Sequence, residues 1–315
     1  MRRTAFIFAG QGSQYTGMGK EFYENYPHFR EVFDEANLDF DLKEMCFSNP
    51  CNKLYETQFA QPCMVAYAIG ITKILMSKGI EPDIVCGLSL GEYSALAAAD
   101  VWSISDTLEI VSYRGNVMMD ASKGIDYSMV AITGLGLEKI KDYCDRASEV
   151  GIVSICNINC PEQIVIGGEK KATAEAVRLS KDAGARRCVP LPVSGPFHTA
   201  FMEPAAERLG NFFRRIIFNI PTRTVFYNYL GGPNSTGTEI SELLVQQVKN
   251  TVLFQNCIEN MFVNGVDTFI EIGPGSSLSK FVKKTARHNE ITEDQYRLFS
   301  TETSEDIERL ASELI

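Results

Sequence analysis

Gly87-Leu88-Ser89-Leu90-Gly91 is the segment that most restricts what this chain can fold into. The apolar run Ile84-Val85-Cys86 precedes it, and the alanine-rich stretch Glu92-Tyr93-Ser94-Ala95-Leu96-Ala97-Ala98-Ala99 follows. A buried strand, a sharp turn and a closely packed helix are the expectation. In that setting a G-x-S-x-G turn holds its serine in a strained conformation with the hydroxyl projecting, and the glycines on either side let neighbouring backbones approach. The helix start aims free N–H groups at the same point. The bare pentapeptide also occurs as an ordinary turn; its flanking strand and helix make Ser89 a candidate nucleophile.

Around this element the pattern alternates strand and helix, which predicts a parallel sheet covered by helices. Strand one is expected at 6–8, a helix at 19–36, another at 62–78 with Pro62 in its first turn, and the strand beneath Ser89 at 84–86. Between 128 and 191 the order becomes β-α-β-β-α-β, the signature of a ferredoxin-like unit. The expected class is therefore α/β: a large α/β-hydrolase-like domain with a parallel sheet, residues 1–126 and 193–315, and an inserted ferredoxin-like subdomain, residues 127–192. Helices around 200–215, 239–249 and 254–264 and an apolar run at 269–272 complete the large domain. Gly273-Pro274-Gly275 turns into a helix beginning near Ser276.

Hydrophobic residues at 45% and charged residues at 22% suit a soluble globular chain. The apolar run after Met1-Arg2-Arg3 is shorter than an export signal's, and the apolar helix near 63–76 is interrupted by Lys73 and expected to be too short for a bilayer. A cytoplasmic protein without a membrane partner is the expectation. Nine cysteines with no C-x-x-C pair read as reduced and mostly buried, and Cys156 and Cys160 have no histidine nearby to make a metal site. A net charge of −10 argues against a nucleic-acid partner. An acidic partner would need a local basic patch: Lys181 with Arg186-Arg187, Arg214-Arg215, or Lys280, Lys283-Lys284 and Arg287, each of which could equally be a solvated face.

A nucleophilic serine needs a base, and the chain offers His28, His198 and His288. His28 lies in a charged helix and His288 in a polar tail. His198, in the turn-rich Ser194-Gly195-Pro196-Phe197-His198, is the remaining choice. No acidic residue declares itself as a third member, and a backbone carbonyl can orient the imidazole instead. Arg114 projects from an apolar helical stripe of Ile110, Val111, Val117 and Met118 with no acidic neighbour on it. A buried guanidinium needs compensation, from a distant carboxylate or from the carboxylate of a substrate. Gly10-Gln11-Gly12-Ser13-Gln14, after strand one, can aim a backbone N–H at an oxyanion, with the Leu90 N–H as second donor.

Over nearly its full length the chain resembles the malonyl-CoA:acyl carrier protein transacylases of bacterial fatty-acid synthesis. The likeness rests on Gly10-Gln11-Gly12-Ser13-Gln14, the run from Gly87 to Ala95, Arg114-Gly115, Asn157-x-Asn159-x-Pro161-x-Gln163, Gly195-Pro196-Phe197-His198 and Glu271-x-Gly273-Pro274-Gly275. The resemblance implies Ser89 as nucleophile, His198 as base, the Gln11 and Leu90 amides as oxyanion hole and Arg114 as clamp for the malonyl carboxylate. It implies Phe197 as the residue that favours malonyl, Arg186 and Arg187 as the carrier-protein dock, and no cofactor, coenzyme A thioester being substrate. Malonyl-CoA and acyl carrier protein are the implied partners of a monomeric enzyme. The family often has histidine where this chain has Leu88, and commonly glutamine at the position of Leu253, whose backbone carbonyl is the implied partner of the histidine. Nearby alternatives are a polyketide-synthase acyltransferase, an acyl-hydrolase of the same fold and, in a different class, a non-catalytic carrier-binding module.

Overall fold

The computed structural model describes residues 2–315. Its strands are β1 (Thr4–Phe8), β2 (Ile84–Gly87), β3 (Tyr127–Thr133), β4 (Val153–Cys160), β5 (Gln163–Glu169), β6 (Arg187–Pro190), β7 (Thr224–Tyr227), β8 (Gly232–Pro233), β9 (Thr268–Ile272) and β10 (Arg297–Ser300). They form a six-stranded sheet of order β10-β9-β1-β2-β7-β8 and a four-stranded sheet of order β4-β5-β3-β6. In the large sheet every pairing is parallel except β7 with β8. Ala5 to Phe8 of β1 are wholly buried, as expected of a strand covered on both faces. Ser89 follows β2, Gln11 follows β1, Asn228 follows β7 and Gly273 follows β9, so four loops meet at the carboxyl edge, where open α/β sheets bind ligands.

The small sheet is antiparallel, and its order is that of a ferredoxin-like β-α-β-β-α-β unit. Alternation along its strands gives it two apolar faces. Val130, Ile132, Ile164 and Ile166 pack under the helices Leu137–Ala147 and Lys170–Asp182, while Met129, Cys156 and Val165 join the main core. One wall of this sheet therefore faces the nucleophile's half of the molecule.

Several elements depart from expectation. The helix expected at 19–36 is two helices, Lys20–Asn25 and Pro27–Asp34, because Tyr26 precedes a proline and is extended. The helix expected from Pro62 begins at Thr57 and runs to Ser77, with Pro62 inside it. At 21 residues it is long and apolar enough to cross a membrane, contrary to the length expected from sequence, but 83% of its most apolar stretch is buried within the protein. It is a core helix packed on Ile104–Ser122. Last, β7 and β10 are short strands in segments where no strand was expected.

Candidate active site

Ser89 sits at φ 52°, in the left-handed region that a side chain adopts only under constraint. The constraint is visible on both sides. A Cβ on Gly87 would strike the Gly91 backbone, and one on Gly91 would strike the Phe8 carbonyl. The Ser89 N–H donates to Asn228 Oδ1 at 2.6 Å, and Asn228 Nδ2 donates to the Gly87 carbonyl at 2.6 Å. Asn228 thus pins both ends of the bend. It is pinned in turn: its own N–H donates to Glu92 Oε2 at 2.6 Å and its carbonyl accepts the Leu253 N–H at 2.9 Å. Glu92 is wholly buried, its Oε1 has no partner among the described residues, and burial pushes its carboxyl up to about 8.

His198, at φ 61°, faces the serine from the loop before the turn Ala200–Met202. Its Nε2 lies 2.7 Å from Ser89 Oγ, and its Nδ1 lies 2.8 Å from the Gln247 carbonyl. A carbonyl accepts only, so Nδ1 carries the proton and Nε2 is left with a lone pair aimed at the serine. Burial, reinforced by the Arg114 charge, lowers the imidazole to about 4, against a smaller upward pull from the Gln247 carbonyl. It is neutral at pH 7 and fit to take a proton.

The expectation that Leu253 supplies this carbonyl is overturned. Gln247 lies in the final turn of the helix Ile240–Lys249, where backbone carbonyls lack intrahelical donors and are free to accept from elsewhere. Leu253 instead precedes the helix Phe254–Val263, and its N–H buttresses Asn228. Gln247 does more with its side chain: Nε2 donates to the Ser89 carbonyl at 2.8 Å, and Oε1 accepts from Arg114 Nη2 at 3.2 Å.

Arg114 is 1% exposed and, among the described residues, within ion-pair distance of no carboxylate. Its Nη2 lies 3.4 Å from Ser89 Oγ, its guanidinium stands 5.1 Å from the Tyr93 ring centre, and its Nε has no partner. Burial lowers its pKa, yet a guanidinium stays charged. A desolvated, unneutralised cation beside a reactive hydroxyl is a seat for an anion.

Ser89, His198, Arg114, Gln11, Leu90 and Phe197 all line one cavity of about 360 Å³, closed on its far side by Asn157, Asn159 and Gln163 of the small sheet. Gly10 lies so near Leu88 that a Cβ there would come within 2.6 Å of its carbonyl, which brings the first loop against the serine turn. Among the described residues neither the Gln11 nor the Leu90 N–H has an acceptor. Leu88 lines the cavity as well, and its replacement of a histidine removes no bond from the Ser89–His198 pair. Arg186 and Arg187 are exposed outside the cavity, and Arg186 pairs with Glu162 at 3.6 Å. His28 and His288 lie in helices remote from it.

Gln247 and Asn228 were missed from sequence. For Gln247 a signal existed, a polar residue beside Leu243, Leu244 and Val248 on the buried face of its helix. Asn228 carried none, since its importance follows from standing at the end of the strand next to β2.

A strained serine, a neutral histidine held by a main-chain carbonyl and a buried arginine without a carboxylate partner thus meet at the carboxyl edge of a parallel sheet, an arrangement suited to acyl transfer. Residues 5–303 match the acyl transferase domain family. A malonyl CoA-acyl carrier protein transacylase of Bacillus subtilis is 40% identical over 290 residues, covering 91% of this chain and 92% of that protein. The crystal structure of the Clostridium perfringens transacylase superposes with a TM-score of 0.92 at 40% identity, covering 99% and 97% of the two chains. Another neighbour, TM-score 0.92 and 32% identical over 99% of each chain, is a malonyl-transacylase in complex with a type II polyketide-synthase acyl-carrier protein. The chain belongs to the malonyl-CoA:acyl carrier protein transacylases.

Proposed function

We propose that this enzyme transfers malonyl from malonyl-CoA to acyl carrier protein for fatty-acid synthesis through an ester on Ser89. His198 Nε2 takes the hydroxyl proton as Ser89 Oγ bonds to the thioester carbon. The Gln11 and Leu90 N–H groups donate to the carbonyl oxygen as charge develops on it. As the C–S bond breaks, the proton passes from His198 to the departing thiolate of coenzyme A. The second half-reaction reverses these roles: His198 deprotonates the phosphopantetheine thiol, sulfur attacks the malonyl ester, and Ser89 recovers its proton. Because the thioester already activates the acyl group, the steps draw on these side chains and main-chain amides, without a cofactor.

The observation that carries this reading is the convergence of His198 Nε2 and Arg114 Nη2 on Ser89 Oγ, at 2.7 and 3.4 Å. The first activates the oxygen; the second is the clamp for the malonyl carboxylate. Phe197, buried on the cavity wall, crowds the α-carbon and favours malonyl over branched acyl groups. Arg186 and Arg187 belong to the carrier-protein dock. A monomer working in the cytoplasm, its fold composed of an insert at 127–192 within the catalytic domain, completes the reading. A charge-assisted clamp is worth roughly 1.5–3 kcal/mol. In Arg114→Ala the preference for malonyl-CoA over acetyl-CoA in acylation should therefore fall on the order of 10- to 100-fold; an unchanged preference removes Arg114 from the clamp.

A further inference from the structure

The polar contacts of Arg114 do not account for its position. It is one of the largest wholly buried side chains, and among the described residues no carboxylate pairs with it. Its hydrogen bonds are two long ones from Nη2, at 3.2 Å to Gln247 Oε1 and 3.4 Å to Ser89 Oγ, and its Nε has no partner. A buried cation so sparsely bonded needs further support, or it withdraws from the geometry that a substrate requires.

An aromatic ring stands where that support is needed. The Arg114 guanidinium lies over Tyr93, 5.1 Å from the ring centre. Tyr93 is wholly buried and its hydroxyl has no hydrogen-bond partner among the described residues, so the ring is the part that meets the cation. The ring is itself held: Trp102 stacks on it at 6.1 Å with 21° between the planes, and Phe218 meets Trp102 edge-on at 5.1 Å. Tyr93 also belongs to the helix Gly91–Ala98, which leaves the serine bend directly. Nucleophile and aromatic face are therefore fixed to one short helix.

We propose that Tyr93 is the positioning residue of the carboxylate clamp, its ring face seating the Arg114 guanidinium beside Ser89. This rests on the transferase reading above. A carboxylate in the same place would pair with the guanidinium and compete with the carboxylate of malonyl. The negative face of a π system stabilises a cation without cancelling its charge. It also leaves the in-plane N–H groups free, and these are the ones that a carboxylate takes. Gln247, the other support, is likewise neutral. Tyr93 thus acts through Arg114 and touches no reacting atom.

The test compares acylation by malonyl-CoA and by acetyl-CoA, read as coenzyme A release, in Tyr93→Phe, in Tyr93→Met and in a protein with 3,4,5-trifluorophenylalanine at position 93. Phenylalanine keeps the ring face and should keep the wild-type preference for malonyl-CoA. Methionine fills the space without a face, and trifluorophenylalanine keeps the shape while draining the face of negative charge. Both should lose preference on the order of tenfold through a higher KM for malonyl-CoA, with acetyl-CoA acylation within about twofold of wild type. If the methionine variant does not fold, the trifluorophenylalanine protein decides, since its ring has the shape of phenylalanine. Unchanged preference in that protein, equal loss with both donors, or a phenylalanine variant as impaired as methionine would overturn the role of the ring. A wild-type enzyme without preference for malonyl-CoA would instead remove the Arg114 clamp, and with it the reading beneath.

Discussion

Gln247 Nε2 donates to the main-chain carbonyl of Ser89 at 2.8 Å, so the residue whose backbone orients the histidine also grips the backbone of the nucleophile. Its Oε1 holds Arg114 in addition. One residue at a helix end therefore sets the relative positions of base, nucleophile and carboxylate clamp.

Replacing Gln247 with alanine separates these duties, because the carbonyl to His198 survives while both side-chain bonds vanish. Each neutral bond contributes about 1 kcal/mol, and bonds to charged groups more. Acylation should slow roughly 10- to 100-fold, with malonyl-over-acetyl preference eroded as Arg114 loses its anchor. Stopped-flow release of coenzyme A reads both, and a variant at wild-type rate with wild-type preference would show the side chain to be dispensable.

Asn228 holds the strained bend through the Ser89 N–H and the Gly87 carbonyl. Asn228→Ala leaves both groups unpaired in a buried site, at about 1–3 kcal/mol each. Asn228→Asp keeps the acceptor for Ser89 but replaces the donor to Gly87 with an oxygen that faces the Gly87 carbonyl oxygen. We expect kcat to fall in both variants, with KM for malonyl-CoA little moved. A rise in KM at constant kcat would point to substrate binding instead of serine positioning.

Glu92 has a carboxyl raised from 4.5 to about 8, first by burial, against opposing pulls from the Asn228 amide, Gln247 and Arg114. A raised pKa in the folded state means stability present in full below about 4.5 and lost as pH rises towards 8. Glu92→Gln keeps an acceptor for the Asn228 N–H and does not titrate. Melting curves from pH 5 to pH 9 should decline for wild type and stay flatter for the glutamine variant. Parallel curves would mean that Glu92 holds its charge throughout.

His198 is lowered from 6.5 to about 4, by burial first and the Arg114 charge second. The neutral form is the base, so acylation in the free enzyme should hold its rate well below pH 6.5 and fail only near 4. Removing the positive charge in Arg114→Ala takes away one lowering influence, and the acid limb of kcat/KM for acetyl-CoA should move to higher pH. A limb at the ordinary histidine value in wild type would contradict the neutral buried base.

The parts of this site legible in the sequence are those with local signatures. Ser89 announces itself by glycine spacing between strand and helix, Arg114 by standing on an apolar stripe, and His198 by elimination among three histidines. The β-α-β-β-α-β order exposed the small sheet for the same reason. What was not legible depends on long-range packing. The histidine's acceptor is a main-chain carbonyl that becomes available because a helix ends at Lys249, so no side chain marks it and Leu253 was the wrong choice. Asn228 acquires its role when the four-residue β7 pairs with β2. The early start of the helix Thr57–Ser77 reflects burial of Thr57, Ala60 and Gln61, which outweighs the proline at position 62.

The central claim, that Ser89 carries malonyl between two thiols, is tested most directly by intact-mass analysis of the enzyme mixed with malonyl-CoA. The predicted result is one malonyl group, mapped to Ser89, absent in Ser89→Ala and discharged by phosphopantetheinylated carrier protein far faster than by water. No adduct, an adduct on another residue, or discharge by water as fast as by carrier protein would contradict it.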